Sequence, residues 1–304
     1  MGARIHAASF AEAEALAKKG HADEAIAQLK AVTSATPNDA RAHALLCRVY
    51  ATMEHFDDAT RECEAAARIS PNSSEYQLEL ARAYGAKADH AGPFTGMKLV
   101  GRIRGGFERA VQLDGSNVDA LSDLGQFYVD APGIVGGGTD KARALAPKLM
   151  ALKAARGHRL LGMAAAKDGD YGTADAEFQK ELNVAHSAEA YVDLANYAMS
   201  RKQWAKAAQY AVEAIRHDGK HAGDSIDAAK LLVKMGRNMD VAESAYRAYF
   251  SSPAMSAGTP VFYVHTLLGE SLAKHGDKDG AVKEFQAALA LAHDYPRAKK
   301  GLGQ

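Results

Sequence analysis

Few residues in this 304-residue chain have the type and spacing that chemistry needs. A zinc hydrolase wants His-Glu-x-x-His on one helix face, a nucleophile elbow wants Gly-x-Ser-x-Gly at a strand-to-helix turn, and a redox or metal pair wants Cys-x-x-Cys. None is present; Gly269-Glu270-Ser271-Leu272-Ala273 lacks the final glycine and reads as helix. His217 and His221 stand four apart, but Asp218-Gly219-Lys220 between them marks a helix end, so the two rings share no rigid face and no metal site is expected. The glycine run from Gly133 to Gly138 invites a phosphate-loop reading, which fails because Thr139-Asp140 follows where Lys-Ser or Lys-Thr should stand, and a helix rather than a strand precedes it. The run is expected to be a turn that ends one helix at Pro132 and restarts the next with Thr139 or Asp140 as N-cap, leaving Ile134 and Val135 to pack into the fold or face a ligand. With no set of acid, base and nucleophile, the chain reads as non-enzymatic and without a cofactor.

Composition narrows the partners. The chain holds 37 Lys+Arg against 37 Asp+Glu with pI near 7.2, which lacks the basic footprint of a nucleic-acid binder. No run approaches the ~18 apolar residues that a membrane span requires. Met1-Gly2-Ala3-Arg4-Ile5-His6 shows no apolar signal core, so the cytoplasm and, with a leader already removed, the periplasm both stay open.

The elements that must position any site are set by a repeat. Pro37 and Pro71, Ala25 and Ala59, and Leu29 and Cys63 are each 34 residues apart. Leu45, Leu46, Val49, Tyr50 and Met53 follow helical periodicity, as do Ala59, Cys63, Ala66 and Ala67 after a break at His55-Phe56-Asp57. The unit is therefore a helix, a tight turn and a second helix. About eight such pairs are expected, beginning near residues 8, 40, 74, 118, 155, 188, 222 and 261, with a short closing helix after Pro296. Ten extra residues fall within 85–106 and five within 130–138, and a long loop occupies 251–260. Cys47 and Cys63 fall on the two facing helices of one pair; free core thiols are the expectation, and a bond requires their Cβ atoms within about 4 Å.

This pattern resembles the tetratricopeptide repeat (TPR) family. The second unit carries Leu46, Cys47, Tyr50, Ala59, Cys63, Ala66 and Pro71, and later units carry Leu124-Gly125 with Tyr128, Gly169-Asp170-Tyr171 with Ala174 and Phe178, Trp204 with Ala207, and Leu268-Gly269 with Ala281 and Phe285. The resemblance covers nearly the whole chain and implies an all-α, right-handed superhelical solenoid, one array over residues 1–304. Ala131-Pro132-Gly133-Ile134-Val135-Gly136-Gly137-Gly138 is similar to an element of a subgroup that includes bacterial envelope TPR proteins and the regulator of microtubule dynamics family. That weaker resemblance implies an apolar ligand, or a place in membrane-associated transport.

In TPR arrays the first helix of each pair lines the concave wall. Projecting the register places Arg41, Arg48, Arg82, Gln126, Arg159, Met163, Asn196, Met199 and Lys230 there. This mix suits a mostly apolar ligand with an acidic end. The Lys/Asn/Lys/Arg clamp that grips a peptide's terminal carboxylate is not in register. The 85–106 insertion reads as a lid or as an extended second helix: Phe94, Met97, Leu99 and Ile103 could close over a groove while Lys98, Arg102 and Arg104 meet an acidic headgroup or carboxylate. The leading expectation is a scaffold or adaptor for a protein or peptide; the alternative is a carrier of a lipid, sterol or other apolar molecule.

Overall fold

The computed structural model describes residues 9–220 and 222–304. The described residues form helix pairs α1 (Phe10–Lys18) with α2 (Ala22–Ala35), α3 (Ala40–Thr52) with α4 (Phe56–Ile69), α5 (Ser74–His90) with α6 (Pro93–Leu113), and α7 (Val118–Asp130) with α8 (Thr139–Leu152). The pairing continues through α9 (Ala154–Lys167) with α10 (Tyr171–Ala185), α11 (Ala188–Ser200) with α12 (Trp204–His217), α13 (Gly223–Met235) with α14 (Met239–Tyr249), and α15 (Val261–His275) with α16 (Lys278–Leu291). A closing helix, α17 (Pro296–Gly301), follows. The eight pairs and their starts follow the register read from the sequence. His221, half of the histidine pair considered above, lies outside the described residues; His217 stacks on Tyr191 with centroids 4.7 Å apart.

Most first helices, though not α9, α13 or α15, begin where a short polar side chain satisfies exposed N–H groups. Asp39 accepts from the amides of Arg41 and Ala42, Ser73 from Tyr76, Asn117 from Ala120 and Ser187 from Ala190. Helix α13 has no such residue at its own cap. Asp218, carried over from the end of α12, accepts instead from Ala222 N at 2.7 Å, Ser225 N at 3.1 Å and Ser225 Oγ at 2.7 Å. Because Ser225 is fully buried, Asp218→Ala strands its amide and hydroxyl without water and removes the acceptor of the Ala222 amide. We expect it to cost about 2 kcal/mol, read as a lower midpoint in urea with an unchanged slope. Asp218→Asn, which keeps an acceptor, should retain most of the stability.

Small residues let the helices approach. A Cβ on Gly125 of α7 would sit 2.6 Å from Leu160 Cδ2 of α9, and one on Gly269 of α15 would sit 2.8 Å from the Phe285 ring of α16.

The chain divides into two compact units. Residues 73–254 form one, holding α5–α14. Its core runs from Leu78, Leu99, Ile103 and Phe107 through Leu121, Leu149 and Leu160 to Phe178 and Leu194. The other unit joins residues up to Asn72 with those from Met255 onward, so the two ends of the chain pack together. There Asp23 accepts from the amide of His293 at 2.9 Å, and Tyr295, fully buried against Phe262, reaches Glu54 at 3.3 Å. Burial first, then the nearby Glu54, pushes the Tyr295 phenol far above its usual range.

Two expectations are corrected, and of the two readings of the 85–106 insertion the longer helix holds. Cys47 and Cys63 are bonded rather than free, with Cα atoms 5.3 Å apart, because the small-residue position of α3 faces the bulky position of α4 closely enough for two sulfurs to fill the gap. Helix α8 is capped by Gly138 at φ 145°, not by Thr139 or Asp140; the Thr139 hydroxyl instead donates to Asp168 at 3.0 Å. The extra residues of the third pair lengthen both of its helices, to 17 and 21 residues, and Leu99 and Ile103 are core residues against α5 rather than parts of a lid. Phe94 and Met97 project outward, 88% and 65% exposed.

Candidate functional site

The site lies in the larger unit, along the first helices α7, α9, α11 and α13. The 34-residue register stacks Arg159, Asp193 and Asp227 in one column across these helices, with Asn196 and Lys230 in the next turn of α11 and α13. Two cavities open on this wall. The larger, about 560 Å³, has a polar side of Gln126, Asp130, Arg159, Lys167, Asp193, Asn196 and Ser200, and an apolar side of Val129, Met163, Ala166 and Phe178. The smaller, about 330 Å³, is lined by Arg159, Glu189, Asp193, Asn196, Asp224, Asp227 and Lys230, with Val192 and Leu231. Arg159, Asp193 and Asn196 belong to both, so the two form one groove.

Arg159 is the pivot. Its Nε donates to Asp193 Oδ1 at 2.9 Å and its Nη2 to Gln126 Oε1 at 3.1 Å, tying three consecutive first helices together. Burial works against the guanidinium's charge, but Asp193 beside it more than offsets this and holds Arg159 above its usual range. Lys230 pairs with Asp227 at 3.0 Å, and Arg156 pairs with Glu189 at 2.5 Å.

Behind this wall stands Glu181 of α10, only 2% exposed. Its carboxyl is pushed up to about 10, by burial first and then by the charge and hydrogen bond of Asp193. Glu181 Oε2 and Asp193 Oδ2 find no donor among the described protein groups, and the proton that the raised Glu181 carboxyl keeps is the donor for its hydrogen bond to Asp193. Asp224, half-buried on α13, is raised to about 6 by burial and then by the carboxylates Glu189, Asp218, Asp227 and Asp193.

The structure thus brings together Gln126, Arg159, Met163, Asn196 and Lys230 of the sequence-derived wall. Met199 is half-buried on α11 and lines neither cavity. Arg82 is paired with Asp123 at 2.6 Å on the α5–α7 side of the same unit. Arg41 and Arg48 belong to the other unit, where Arg41 lies over the Phe10 ring at 5.1 Å. Ile134 is 94% exposed and Val135 half-buried in the turn after α7; the carbonyls of that turn accept from Arg104 at 3.2 Å and Lys141 at 2.8 Å. The charge of the smaller cavity is the reverse of the acidic-ligand expectation: four carboxylates face Arg159 and Lys230.

Sequence reasoning missed Asp193, Asp224, Asp227, Glu189 and Glu181. Asp193 and Asp227 had a signal, since they lie 34 and 68 residues after Arg159. Glu181 had a stronger one. Seven residues after the alanine that marks each second helix, other pairs carry Val32, Ala66, Leu149, Ala214 and Ala288, all buried; after Ala174 the same position is glutamate. Among the described residues no group of three or more His, Cys, Asp or Glu side chains is arranged to hold a metal ion, and no helix is long and apolar enough to cross a membrane.

No family model matches the chain, and no curated protein matches it. Solved structures do. The crystal structure of yeast Tom70 is similar over 100% of this chain and 66% of that one, at 15% identity and TM-score 0.54. TTC0263, a thermophilic TPR protein of Thermus thermophilus, covers 64% of this chain and 99% of its own at 17% identity and TM-score 0.48. A MamA structure covers 57% of this chain and 88% of its own at 23% identity and TM-score 0.46. Helix pairs in a 34-residue register and the full-length likeness to Tom70 agree: this chain is an all-α helical-repeat solenoid with the tetratricopeptide-repeat fold.

Proposed function

We propose that the chain is a non-enzymatic binding protein that holds an extended protein or peptide segment in the groove along α7, α9, α11 and α13. The observation that carries this reading is the groove's half-polar, half-apolar lining, fixed in place by the Gln126–Arg159–Asp193 bonds. Side chains already locked by one another lose little freedom when a ligand arrives, and alternating polar and apolar contacts match an extended backbone with its side chains. A lipid or sterol carrier draws support from Val129, Met163, Ala166 and Phe178, but Asp130, Arg159, Lys167 and Asp193 share that cavity, and a hydrocarbon would strip water from these charges and offer them no hydrogen bond in return. The Cys47–Cys63 bond supports an oxidising compartment such as the periplasm.

The test is selection from a displayed library of random dodecapeptides on the purified protein, beside mass spectrometry of its organic extract. Enriched peptides should bind the protein and lose binding with Asn196→Trp, which fills the groove, but not with Gln179→Trp on exposed α10 surface. A library that yields no binder, with a stoichiometric lipid in the extract, would establish the carrier instead.

A further inference from the structure

We infer that the edge of the larger unit where α5 turns into α6 and α7 into α8 is a docking surface for a membrane carrying anionic lipids. It lies apart from the groove and uses none of the groove's residues. Helices α7, α11 and α13 have 13 residues each and α8 and α12 have 14, whereas α5 has 17 and α6 has 21. The opposite ends of these helices stay in register, since Ser74 at the start of α5 donates to Ala110 O near the end of α6 and accepts from Asn117 at the cap of α7, both at 2.8 Å. The added length therefore falls at the α5–α6 turn and carries the start of α6 about 10 Å past its neighbours. Phe94, Met97 and Lys98 stand on those added turns. Ile134 projects from the next turn along the same edge, and the two turns are tied by the bond from Arg104 to the Val135 carbonyl. Phe94, Met97 and Ile134 are the three most exposed large apolar side chains among the described residues.

Both apolar points are held outward by built structure. On α6, Leu99 and Ile103 pack into the core against α5, which fixes the helix and turns Phe94 and Met97 to solvent. In the α7–α8 turn, the Gly137 amide donates to Pro132 O at 3.2 Å and the Gly138 amide to Tyr128 O at 2.7 Å, so Ile134 sits at the crest of a closed loop. The charge around them is one-sided in a chain that is neutral overall: residues 85–106 carry Lys87, Lys98, Arg102 and Arg104 against Asp89 alone, and residues 131–139 carry no charge. Lys98 is exposed and has no carboxylate partner among the described residues. Basic heads on apolar stems beside projecting apolar side chains match a bilayer interface, where the heads meet lipid phosphates and the apolar groups enter the headgroup–acyl boundary. A protein partner needs a socket shaped for each projecting side chain, whereas a fluid interface takes them up without one. Charge complementarity and projection together commit this edge to an anionic membrane surface.

Co-sedimentation of the purified protein with phosphatidylcholine vesicles containing about 30% phosphatidylglycerol is the test. The protein should pellet with them, and several-fold less with phosphatidylcholine alone or when NaCl rises from about 50 to about 300 mM. Phe94→Glu with Ile134→Glu should lower partitioning about tenfold or more. Val184→Glu, at an exposed apolar position at the far end of α10 in the same unit, should lower it little. All three positions are exposed, so an unchanged melting temperature separates lost docking from lost folding. The described residues include no free cysteine, so Phe94→Cys accepts a single environment-sensitive dye, whose emission should shift to the blue on anionic vesicles. Asn196→Trp, which blocks the groove, should leave vesicle binding unchanged, so the two readings fail separately. Three results would overturn the membrane surface: no pelleting with anionic vesicles; pelleting that salt abolishes but the double variant does not touch, which is electrostatic adsorption alone; or a dimer in sedimentation velocity that the double variant dissolves, which would make a second copy the occupant.

Discussion

Glu181→Gln should raise the melting temperature of this protein at pH 8 by several degrees and flatten its dependence on pH. In the folded chain the Glu181 carboxyl sits at about 10, against its ordinary 4.5, because burial disfavours the anion and Asp193 both repels it and accepts a hydrogen bond from the protonated form. Between those two values the folded state holds a proton that the unfolded state has released, so stability falls as pH rises from 4.5 toward 10. Each pH unit above the ordinary value costs up to ~1.4 kcal/mol while the proton stays on. Glutamine removes this term. Its amide keeps a donor for the Asp193 carboxylate, it matches the volume of glutamic acid, and it never has to be neutralised. A gain of about 2 kcal/mol at pH 8 corresponds to roughly 4–8 °C for a unit of this size. Thermal melts of both proteins from pH 5 to pH 9 decide the matter: the curves should converge near pH 5 and separate as pH rises. If Glu181→Gln melts lower at pH 8, or runs parallel to the parent throughout, Glu181 is ionised and the shared proton does not exist. Asp224, raised to about 6, adds a slope of the same sign over a narrower range, and being partly exposed it adds less.

The second large effect concerns the other unit. Replacing Cys47 and Cys63 by alanine should destabilise it by about 3 kcal/mol, the loss expected for opening a loop of this length. The two residues are 16 apart in sequence and close the α3–α4 hairpin, and both are almost fully buried, 3% and 1% exposed. Alanine suits the small-residue position on α3, but on α4 it leaves a gap where the equivalent residues are Leu29, Phe178 and Phe285. Thiol reductant should lower the melting point of the parent and leave the double variant unmoved. Intact-mass measurement after alkylation in denaturant without reductant is the direct check: addition of two alkyl groups would show both thiols free and sink the prediction.

How much of this was legible in the sequence follows from which forces act locally. A 34-residue period, the Asp39, Ser73, Asn117 and Ser187 caps and the alanine-rich crossing positions each speak to neighbours within one helix pair, so the eight pairs, their starts and the helix after Pro296 could be read directly. The same register placed Gln126, Arg159, Met163, Asn196 and Lys230 on the wall where the cavities open, because residues one period apart in a solenoid stand side by side. What those residues do to one another was not legible. The register put Arg159 on the wall among groups suited to an acidic ligand end, and only the packing of α11 sets Asp193 at 2.9 Å from it. Glu181 acquired its proton only through burial against that same aspartate. The insertion after Gly85 was a lid or a longer helix by periodicity alone, and packing of Leu99 and Ile103 against Leu78 and Ala81 decided for helix. Contacts such as Asp23 with His293, 270 residues apart, have no counterpart in the repeat at all. Composition and period determined the elements and the face each presents, since those depend on short-range sterics and on which side of a helix is apolar. Tertiary structure decided the sign of the groove's charge, the protonation behind it, the disulfide and the meeting of the chain ends, because each depends on distances of a few ångströms between residues on different helices and on the water excluded when those helices pack.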